Sequence, residues 1–223
     1  MKKIFVNLTI ILILASCSNT PDMETGEIRT LKLIKKTFSQ KNDPKSFVDS
    51  RNLLSRKQID TINVPVLFVE LASGQNGTLT PYPGQGIGQT WLGADGATIT
   101  LEQGILKASR GMGDDIMGST SSIPPWSKIN HKIYSYSRRI SFITGNNQIF
   151  ERTFECNIEK NDRKEIIEIW KVEFRITKFE ETCENYNMKI KNIYYVDKEQ
   201  IVRKSSQYHG KTIGYITIER LDR

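Results

Sequence analysis

Hydrophobic and polar residues alternate one by one along much of the second half of the chain. Between residues 150 and 158, one face carries Phe150, Phe154, Cys156 and Ile158, and the other carries Glu151, Thr153, Glu155 and Asn157. A second stretch alternates in the same way, with Trp170, Val172, Phe174 and Ile176 opposite Lys171, Glu173, Arg175 and Thr177. Successive side chains of a β-strand point to opposite sides of the sheet, so this pattern predicts strands with one face in a core and the other in water.

Further apolar or alternating segments predict strands at 64–71, 187–196, 200–207 and 211–219. Residues 90–116 are typical of three more strands, separated by an Asp95-Gly96 turn and a Gln103-Gly104 turn. Short turn-like sequences such as GNN, KNDR, VDKE and YHGK separate the later strands. Short connections join antiparallel neighbours, because parallel pairing needs crossovers of about a dozen residues. We therefore expect a mainly β protein, in which residues 28–223 form a single antiparallel β-barrel or a strongly curled β-sandwich.

Helical periodicity is confined to the beginning of this predicted domain, where we expect one or two short helices. The apolar residues Ile28, Leu31, Ile34 and Phe38 recur at helical spacing, which predicts an amphipathic helix. A second helix is expected to begin after Ser55, whose hydroxyl can cap it while Gln58 stands at the third helical position.

The amino terminus has the pattern of a bacterial lipoprotein signal. Lys2 and Lys3 precede an apolar segment, residues 4–14, that is too short to span a bilayer as an ordinary transmembrane helix. The sequence Leu-Ala-Ser-Cys at 14–17 resembles a lipobox, which implies that residues 1–16 are a signal peptide and that Cys17 becomes the acylated membrane anchor. Residues 17–27 then form a flexible polar tether. Ser18, where Asp would retain a lipoprotein in the inner membrane of enteric bacteria, predicts the periplasmic face of the outer membrane.

The charge of the chain is moderate and evenly distributed. Lys and Arg total 32 and Asp and Glu total 25, which gives a formal net charge of +7, or 7 − 2 = +5 once Lys2 and Lys3 are removed. No dense basic segment is present, so we expect no nucleic-acid partner. The surplus suits weak attraction to anionic lipid or to an acidic polysaccharide.

Two cysteines remain once Cys17 is assigned to the anchor. Cys156 and Cys183 fall in a compartment that permits disulfides, and pairing them would stabilise the fold by about 3 to 4 kcal/mol. If residues 148–158 and 165–180 form a simple hairpin, however, Cys156 lies opposite a residue near position 167 and Cys183 lies beyond the paired region. A disulfide and two free buried thiols both stay open at this point.

The sequence contains no recognisable catalytic motif, and we expect neither enzymatic activity nor a cofactor. The two histidines, His131 and His209, have no Cys, Asp or Glu at metal-ligand spacing, so no metal site is predicted. Asp114 and Asp115 are adjacent, and adjacent side chains on an extended chain point apart, which argues against a catalytic carboxylate pair. The aromatic candidates for a ligand or partner surface are Trp91, Trp126, Tyr194 and Tyr195, because aromatic faces can stack on sugars. Asp114 is a further, polar candidate for this surface.

Several longer stretches resemble one family of envelope proteins. Together with the lipobox, TWLGADGATITLEQGILKASRGMGDDI at 90–116 and NIYYVDKEQIVRKSSQYHG at 192–210 are similar to the YjbF/GfcB lipoproteins of group 4 capsule and exopolysaccharide secretion. This resemblance implies a non-enzymatic accessory of capsule or exopolysaccharide export, anchored to the outer membrane, whose partners are polysaccharide secretion proteins or the polymer itself. Two alternatives stay open: an envelope carrier of a lipid or another apolar ligand, and a polysaccharide-modifying enzyme.

Overall fold

A computed structural model describes residues 49–84, 88–129 and 133–223. The predicted signal peptide, Cys17, the predicted tether and the helix predicted at 28–38 lie outside these residues. Two short helices, α1 (Ser50–Leu53) and α2 (Arg56–Ile59), precede the strands, and a 3-10 helix (Trp126–Lys128) lies between the sixth and seventh. The strands are β1 (Leu67–Leu71), β2 (Asn76–Pro81), β3 (Gln89–Gly93), β4 (Thr98–Glu102), β5 (Ile105–Arg110), β6 (Asp115–Ser121), β7 (Tyr134–Ile143), β8 (Ile149–Ile169), β9 (Val172–Asn185), β10 (Met188–Asp197), β11 (Val202–Gly210) and β12 (Gly214–Arg220). Within the described ranges, no helix has the length and hydropathy needed to cross a membrane.

The twelve strands form one antiparallel sheet that curls almost into a closed barrel. Its order is β5-β4-β3-β2-β1-β12-β11-β10-β9-β8-β7-β6, so the two edge strands, β5 and β6, are consecutive in the chain. Side chains bridge these edges: Ile116 N donates to Ser109 Oγ at 2.9 Å, and Arg110 Nη1 donates to Ile116 O at 2.8 Å. The predicted mainly β barrel with short N-terminal helices is confirmed.

The alternating strand direction places the connections at two opposite ends of the barrel. The upper end carries the turns after odd-numbered strands, at 72–75, 94–97, 111–114, 144–148, 186–187 and 211–213. The lower end carries the other connections, the entry into β1 and residues 221–223. Helix α1 lies beside the upper end, since Ser50 N donates to Asn76 Oδ1 at 2.8 Å.

Alternate residues of the strands fill the interior. The inward apolar residues include Leu67, Val69, Leu79, Trp91, Ile99, Leu106, Phe154, Ile158, Phe179, Ile190, Ile216 and Ile218. Trp126 enters this core from the lower end, with its ring centroid 5.0 Å from those of Phe179 and Tyr194. Its indole Nε1 donates to Gln103 O at 2.9 Å, which satisfies the one polar atom that the ring buries. The middle of the barrel is therefore packed with side chains.

Strand β8 departs most from the sequence-based prediction. The sequence predicts a turn at KNDR, but residues 160–163 lie inside β8, and the chain turns instead at Trp170 and Lys171, both with positive φ. Lys164 pairs with Thr177 (164 + 177 = 341), whereas Cys156 pairs with Cys183 (156 + 183 = 339), so the register shifts by two residues between them. The local turn preference of KNDR is accommodated as a β-bulge within a long hairpin.

This bulge brings the two cysteines together. With an unshifted register Cys156 would face Asn185 (341 − 156 = 185), but in the structure it faces Cys183, and the two form a disulfide. The simple hairpin expected from the sequence would have kept them apart. The bridge spans 27 residues, for which the chain-entropy relation gives about 3.5 kcal/mol of stabilisation.

A second, smaller apolar cluster lies outside the barrel near its lower end. Ile59, Val66, Phe68, Ile169 and Leu221 form it, and Trp170 at the tip of the β8–β9 hairpin packs against Phe68 with ring centroids 5.7 Å apart. Helix α2 contributes Ile59 and begins at Ser55 with the predicted capping box. The side-chain oxygens of Ser55 and Gln58 accept from each other's backbone N–H, which fixes where the helix starts.

The predicted Asp95-Gly96 and Gln103-Gly104 turns connect β3 to β4 and β4 to β5. Gly104 has φ of +82°, and a Cβ at this position would lie 2.4 Å from Val202 Cγ2, so the turn requires glycine. The turn predicted at YHGK comes later than expected, because β11 continues to Gly210 and the chain turns at 211–213. A register shift between Tyr208 and Gly210 accompanies this extension.

Candidate functional site

A cleft of about 310 Å3 opens at the upper end of the barrel and is hereafter named the upper cleft. It is lined by Phe142, Phe150, Arg152, Asn187, Met188, Tyr208 and Lys211. Phe150 and Arg152 continue the inward face of β8 beyond the buried Phe154 and Cys156. The upper cleft is therefore the open mouth of the barrel interior, just above its packed centre.

Aromatic side chains form one wall of the upper cleft. Phe142 and Phe150 stack with ring centroids 5.1 Å apart and an interplanar angle of 19°. Phe142 is buried, whereas Phe150 is 40% exposed. Tyr208 is buried against Tyr215 in an edge-to-face pair with centroids 5.6 Å apart. Phe150 thus presents apolar surface to solvent on a rigid aromatic base.

Two cations lie at the same opening. The Arg152 guanidinium carbon sits 5.4 Å from the centroid of the Phe150 ring, and Lys211 lines the cleft from the β11–β12 turn. Among the described residues, no carboxylate pairs with Arg152 or Lys211. Burial raises the pKa of Tyr208, and nearby Arg152 opposes part of that rise, so the phenol stays neutral at physiological pH. The upper cleft is consequently cationic as well as aromatic.

Asp114 ties together three turns around the upper cleft. Its carboxylate accepts hydrogen bonds from Gly145 N at 2.9 Å and from the hydroxyl of Thr212. The Thr212 bond, followed by the Gly145 bond, lowers the pKa of Asp114, so the carboxylate is ionised. The β5–β6, β7–β8 and β11–β12 turns are held in one arrangement as a result.

A second cleft, of about 320 Å3, opens at the same end beside β1 to β5. Apolar side chains and glycines make up most of its lining, including Val69, Leu71, Leu79, Gly93, Ala97 and Met112. Its polar side chains are those of Gln75, Asn76, Thr78 and Asp95, and no lysine or arginine lines it. This cleft therefore lacks the positive charge that distinguishes the upper cleft.

The centre of the barrel contains a buried ion pair with its own hydrogen-bond donors. Arg138 Nη1 lies 3.0 Å from both carboxylate oxygens of Glu181, and Tyr136, Tyr194 and Asn192 also donate to that carboxylate. Burial alone would raise the pKa of Glu181, but the Arg138 charge and these donors hold it below its usual value. Glu181 and Tyr194 are 0% exposed, so this network braces the fold rather than meeting a ligand.

Ser109, His209 and Asp115 lie together at the junction of β5 and β6 and superficially resemble a catalytic triad. Ser109 Oγ is 2.8 Å from both His209 Nε2 and Asp115 Oδ1, and it accepts a bond from Ile116 N. In a triad the carboxylate holds the far nitrogen of the histidine, whereas here it holds the serine. Ser109 is 1% exposed, and burial lowers the pKa of His209 to about 4. The hydrogen bonds of Ser109, Asp115 and His209 therefore serve to join β5 to β6 where the barrel closes.

One group of potential metal ligands is tight enough to consider among the described residues. Ligand atoms of Cys156, Glu181 and Cys183 lie within 4.8 Å of one another. Both sulfurs belong to the disulfide and the carboxylate is occupied by Arg138, so no thiolate is available to bind a metal.

Most residues proposed from the sequence as a contact surface lie inside the protein. Trp91, Trp126 and Tyr194 are 4%, 3% and 0% exposed and contribute to the core, where they offer no surface to a partner. Trp91 and Tyr194 lie on strands, where an aromatic residue can face either side, and both face inward. Trp126 reaches the core from its 3-10 helix. Tyr195 is half-buried on the opposite face from Tyr194, and Asp114 braces the turns around the upper cleft. Cys17, the proposed lipid anchor, lies outside the described residues.

The residues that line the upper cleft were not among the sequence-based candidates. A signal for two of them was present, because Phe150 and Arg152 occupy inward positions on the same alternating face as Phe154. Arg152 lies at the opening, whereas Arg138 occupies an inward position of β7 and is buried against Glu181, so the pattern alone does not distinguish the two arginines. Lys211 had no such signal, since only the barrel closure brings its turn beside β8.

Comparison with known proteins agrees with this architecture. A solved structure described as the hypothetical lipoprotein YmcC from Escherichia coli (K12) superposes with a TM-score of 0.67, at 18% identity, over 82% of this chain and 98% of that chain. This likeness supports the fold alone. No curated protein matches the chain in sequence. The family model described as group 4 capsule polysaccharide lipoprotein gfcB, YjbF matches residues 29–221, and the chain therefore belongs to the YjbF family of capsule polysaccharide lipoproteins.

Proposed function

We propose that this protein is an outer-membrane lipoprotein, facing the periplasm, that acts as a non-enzymatic accessory in capsule or exopolysaccharide export. The observation that carries the proposal is the family match over residues 29–221, which links the chain to group 4 capsule polysaccharide. The Leu-Ala-Ser-Cys sequence at 14–17 supports anchoring through acylated Cys17, and Ser18 supports the outer membrane as its location. The partners are secretion proteins of the same system or the polymer itself.

The use of the reactive side chains supports a role without catalysis. Asp115 accepts hydrogen bonds from Ser109 Oγ at 2.8 Å and Gly111 N at 2.8 Å, and Asp114 is engaged by two turns. Both carboxylates are thus committed to holding the barrel edge and its turns. Turnover of a purified acidic polysaccharide by the wild-type protein, lost in Asp114→Asn, would instead support the modifying-enzyme alternative.

The packed centre of the barrel supports an accessory more than a carrier of lipid. A carrier needs an apolar cavity that encloses an acyl chain, whereas the middle of this barrel holds the Arg138–Glu181 ion pair and the inserted Trp126. The clefts described at the upper end are open to solvent and stop above this centre. Native mass spectrometry tests the point, because a carrier would co-purify with lipid.

Deletion of the gene, followed by measurement of surface polysaccharide, tests the proposal. We expect less polymer at the cell surface with intact synthesis inside the cell, because an export accessory acts after polymerisation. An amount of surface polysaccharide in the deletion strain equal to that of the wild-type strain would contradict the proposal.

A further inference from the structure

We propose that the upper cleft binds one negatively charged sugar unit of a polysaccharide, stacked on Phe150 and held by Arg152 and Lys211. This inference rests on the proposed function for the choice of a polysaccharide as ligand. It adds a site, the chemical class of its ligand and the residues that recognise it.

The charge of the upper cleft selects an anion. Arg152 and Lys211 both line it, and no acidic side chain does. Arg152 lies over the Phe150 ring, so its guanidinium is partly oriented before any ligand arrives. A guanidinium presents paired N–H donors that match the two oxygens of a carboxylate, as found on an acidic sugar.

The shape and lining of the upper cleft select a ring with apolar faces. Phe150 is 40% exposed while stacked on the buried Phe142, so its position is fixed and part of its surface is free. The C–H face of a sugar ring packs well on such an aromatic surface. Met188 and Tyr208 line the cleft beside Phe150. Asn187 adds an amide that can bond to sugar hydroxyls. A flat polar ring with one acid group satisfies all of these features.

An anionic lipid fits the upper cleft less well. Its headgroup could meet Arg152 and Lys211, but the acyl chains would need an apolar continuation below. The interior under the cleft is instead occupied by the disulfide between Cys156 and Cys183 and by the buried Glu181. A sugar within a polymer needs no such continuation, since its neighbours extend into solvent.

Calorimetric titration of the full mature protein with a galacturonate oligomer tests the site. The matched ligand is the same oligomer with its carboxyl groups methyl-esterified, which keeps the sugar faces and removes the charge. We expect binding of the acid form only, weakened about tenfold or more in the double variant Arg152→Gln, Lys211→Gln, because two charge-assisted contacts are lost. Phe150→Ala should weaken binding by about three- to tenfold.

Lys198→Gln is the control variant, because Lys198 is an exposed lysine at the lower end with an 88% exposed side chain. It should bind the acid oligomer as wild type does, and the variants of Arg152, Lys211 and Lys198 should keep the wild-type unfolding temperature. Equal binding of the esterified oligomer, or a dissociation constant weaker than about 1 mM for the acid form, would overturn the assignment. Calorimetric binding of a water-soluble, short-chain phosphatidylglycerol that the double variant abolishes, without binding to the oligomer, would reassign the cleft to lipid.

The two proposals fail in distinguishable ways. If the deletion strain has normal surface polysaccharide and the purified protein still binds the oligomer, the export role is wrong and the sugar site in the upper cleft stands. If the deletion strain loses surface polysaccharide, the double variant restores it fully and the protein does not bind the oligomer, the sugar site is wrong and the export role stands.

Discussion

Replacing Glu181 by glutamine removes the negative charge at the centre of the barrel and leaves the Arg138 guanidinium without a counter-ion. Arg138 is 2% exposed, so water cannot take over the role of the carboxylate. Tyr136 and Tyr194 also lose their charged acceptor. Breaking one side of a buried ion pair costs about 3 to 5 kcal/mol, and we expect Glu181→Gln to fall in that range.

Urea unfolding of the purified protein, followed by tryptophan fluorescence, measures this cost. With a slope of about 2 kcal/mol per molar urea, the midpoint should fall by about 1.5 to 2.5 M. Glu151→Gln is the matched control, because Glu151 pairs with Arg139 at 3.4 Å and both side chains are more than half exposed. The control should lose less than about 1 kcal/mol.

A double-mutant cycle separates the ion pair from its surroundings. Arg138→Met combined with Glu181→Gln should be more stable than the sum of the two single effects predicts, because neither charge is then left buried alone. Equal and small losses for Glu181→Gln and the Glu151→Gln control would refute the reasoning that the central pair braces the barrel.

Three further outcomes follow from the structure. Replacing Cys156 and Cys183 by alanine should lower the free energy of unfolding by about 3.5 kcal/mol, measured in urea under oxidising conditions; no change would contradict the bridge. His209 has a folded pKa of about 4, below its unfolded value near 6.5, so the unfolded state binds the proton first. The free energy of unfolding should therefore stay constant above pH 6.5 and fall by about 3 kcal/mol between pH 6.5 and pH 4. This fall should be smaller in His209→Gln than in the wild type. Asp114→Asn should increase amide exchange at Gly145, whose N–H donates to the Asp114 carboxylate, and an unchanged exchange rate there would contradict the role given to Asp114.

The general architecture could be predicted because its signals are local. Period-two alternation reports which face of a strand is buried whatever its partner is. The Asp95-Gly96 turn and the Ser55 capping box likewise depend on residues a few positions apart. Short connections between such strands permit few topologies, so an antiparallel barrel could be predicted from the sequence.

The features that were missed depend on distant contacts. KNDR has the composition of a turn, but pairing along the whole of β8 and β9 outweighs that local preference and turns it into a bulge. Arg138 and Glu181 are 43 residues apart, and nothing in either local sequence indicates that they meet. Arg152 and Lys211 share the upper cleft only because the sheet curls, which no single strand encodes.

The ratio of surface polysaccharide to polysaccharide retained in the cell tests the central claim most directly. It would be measured in a strain that lacks the gene and carries back either the wild-type chain or Cys17→Ser. We expect a low ratio in the deletion strain, restoration by the wild-type chain and no restoration by Cys17→Ser, since the unacylated protein would lack its anchor to the outer membrane. A ratio that stays at the wild-type value in the deletion strain would contradict a role in export.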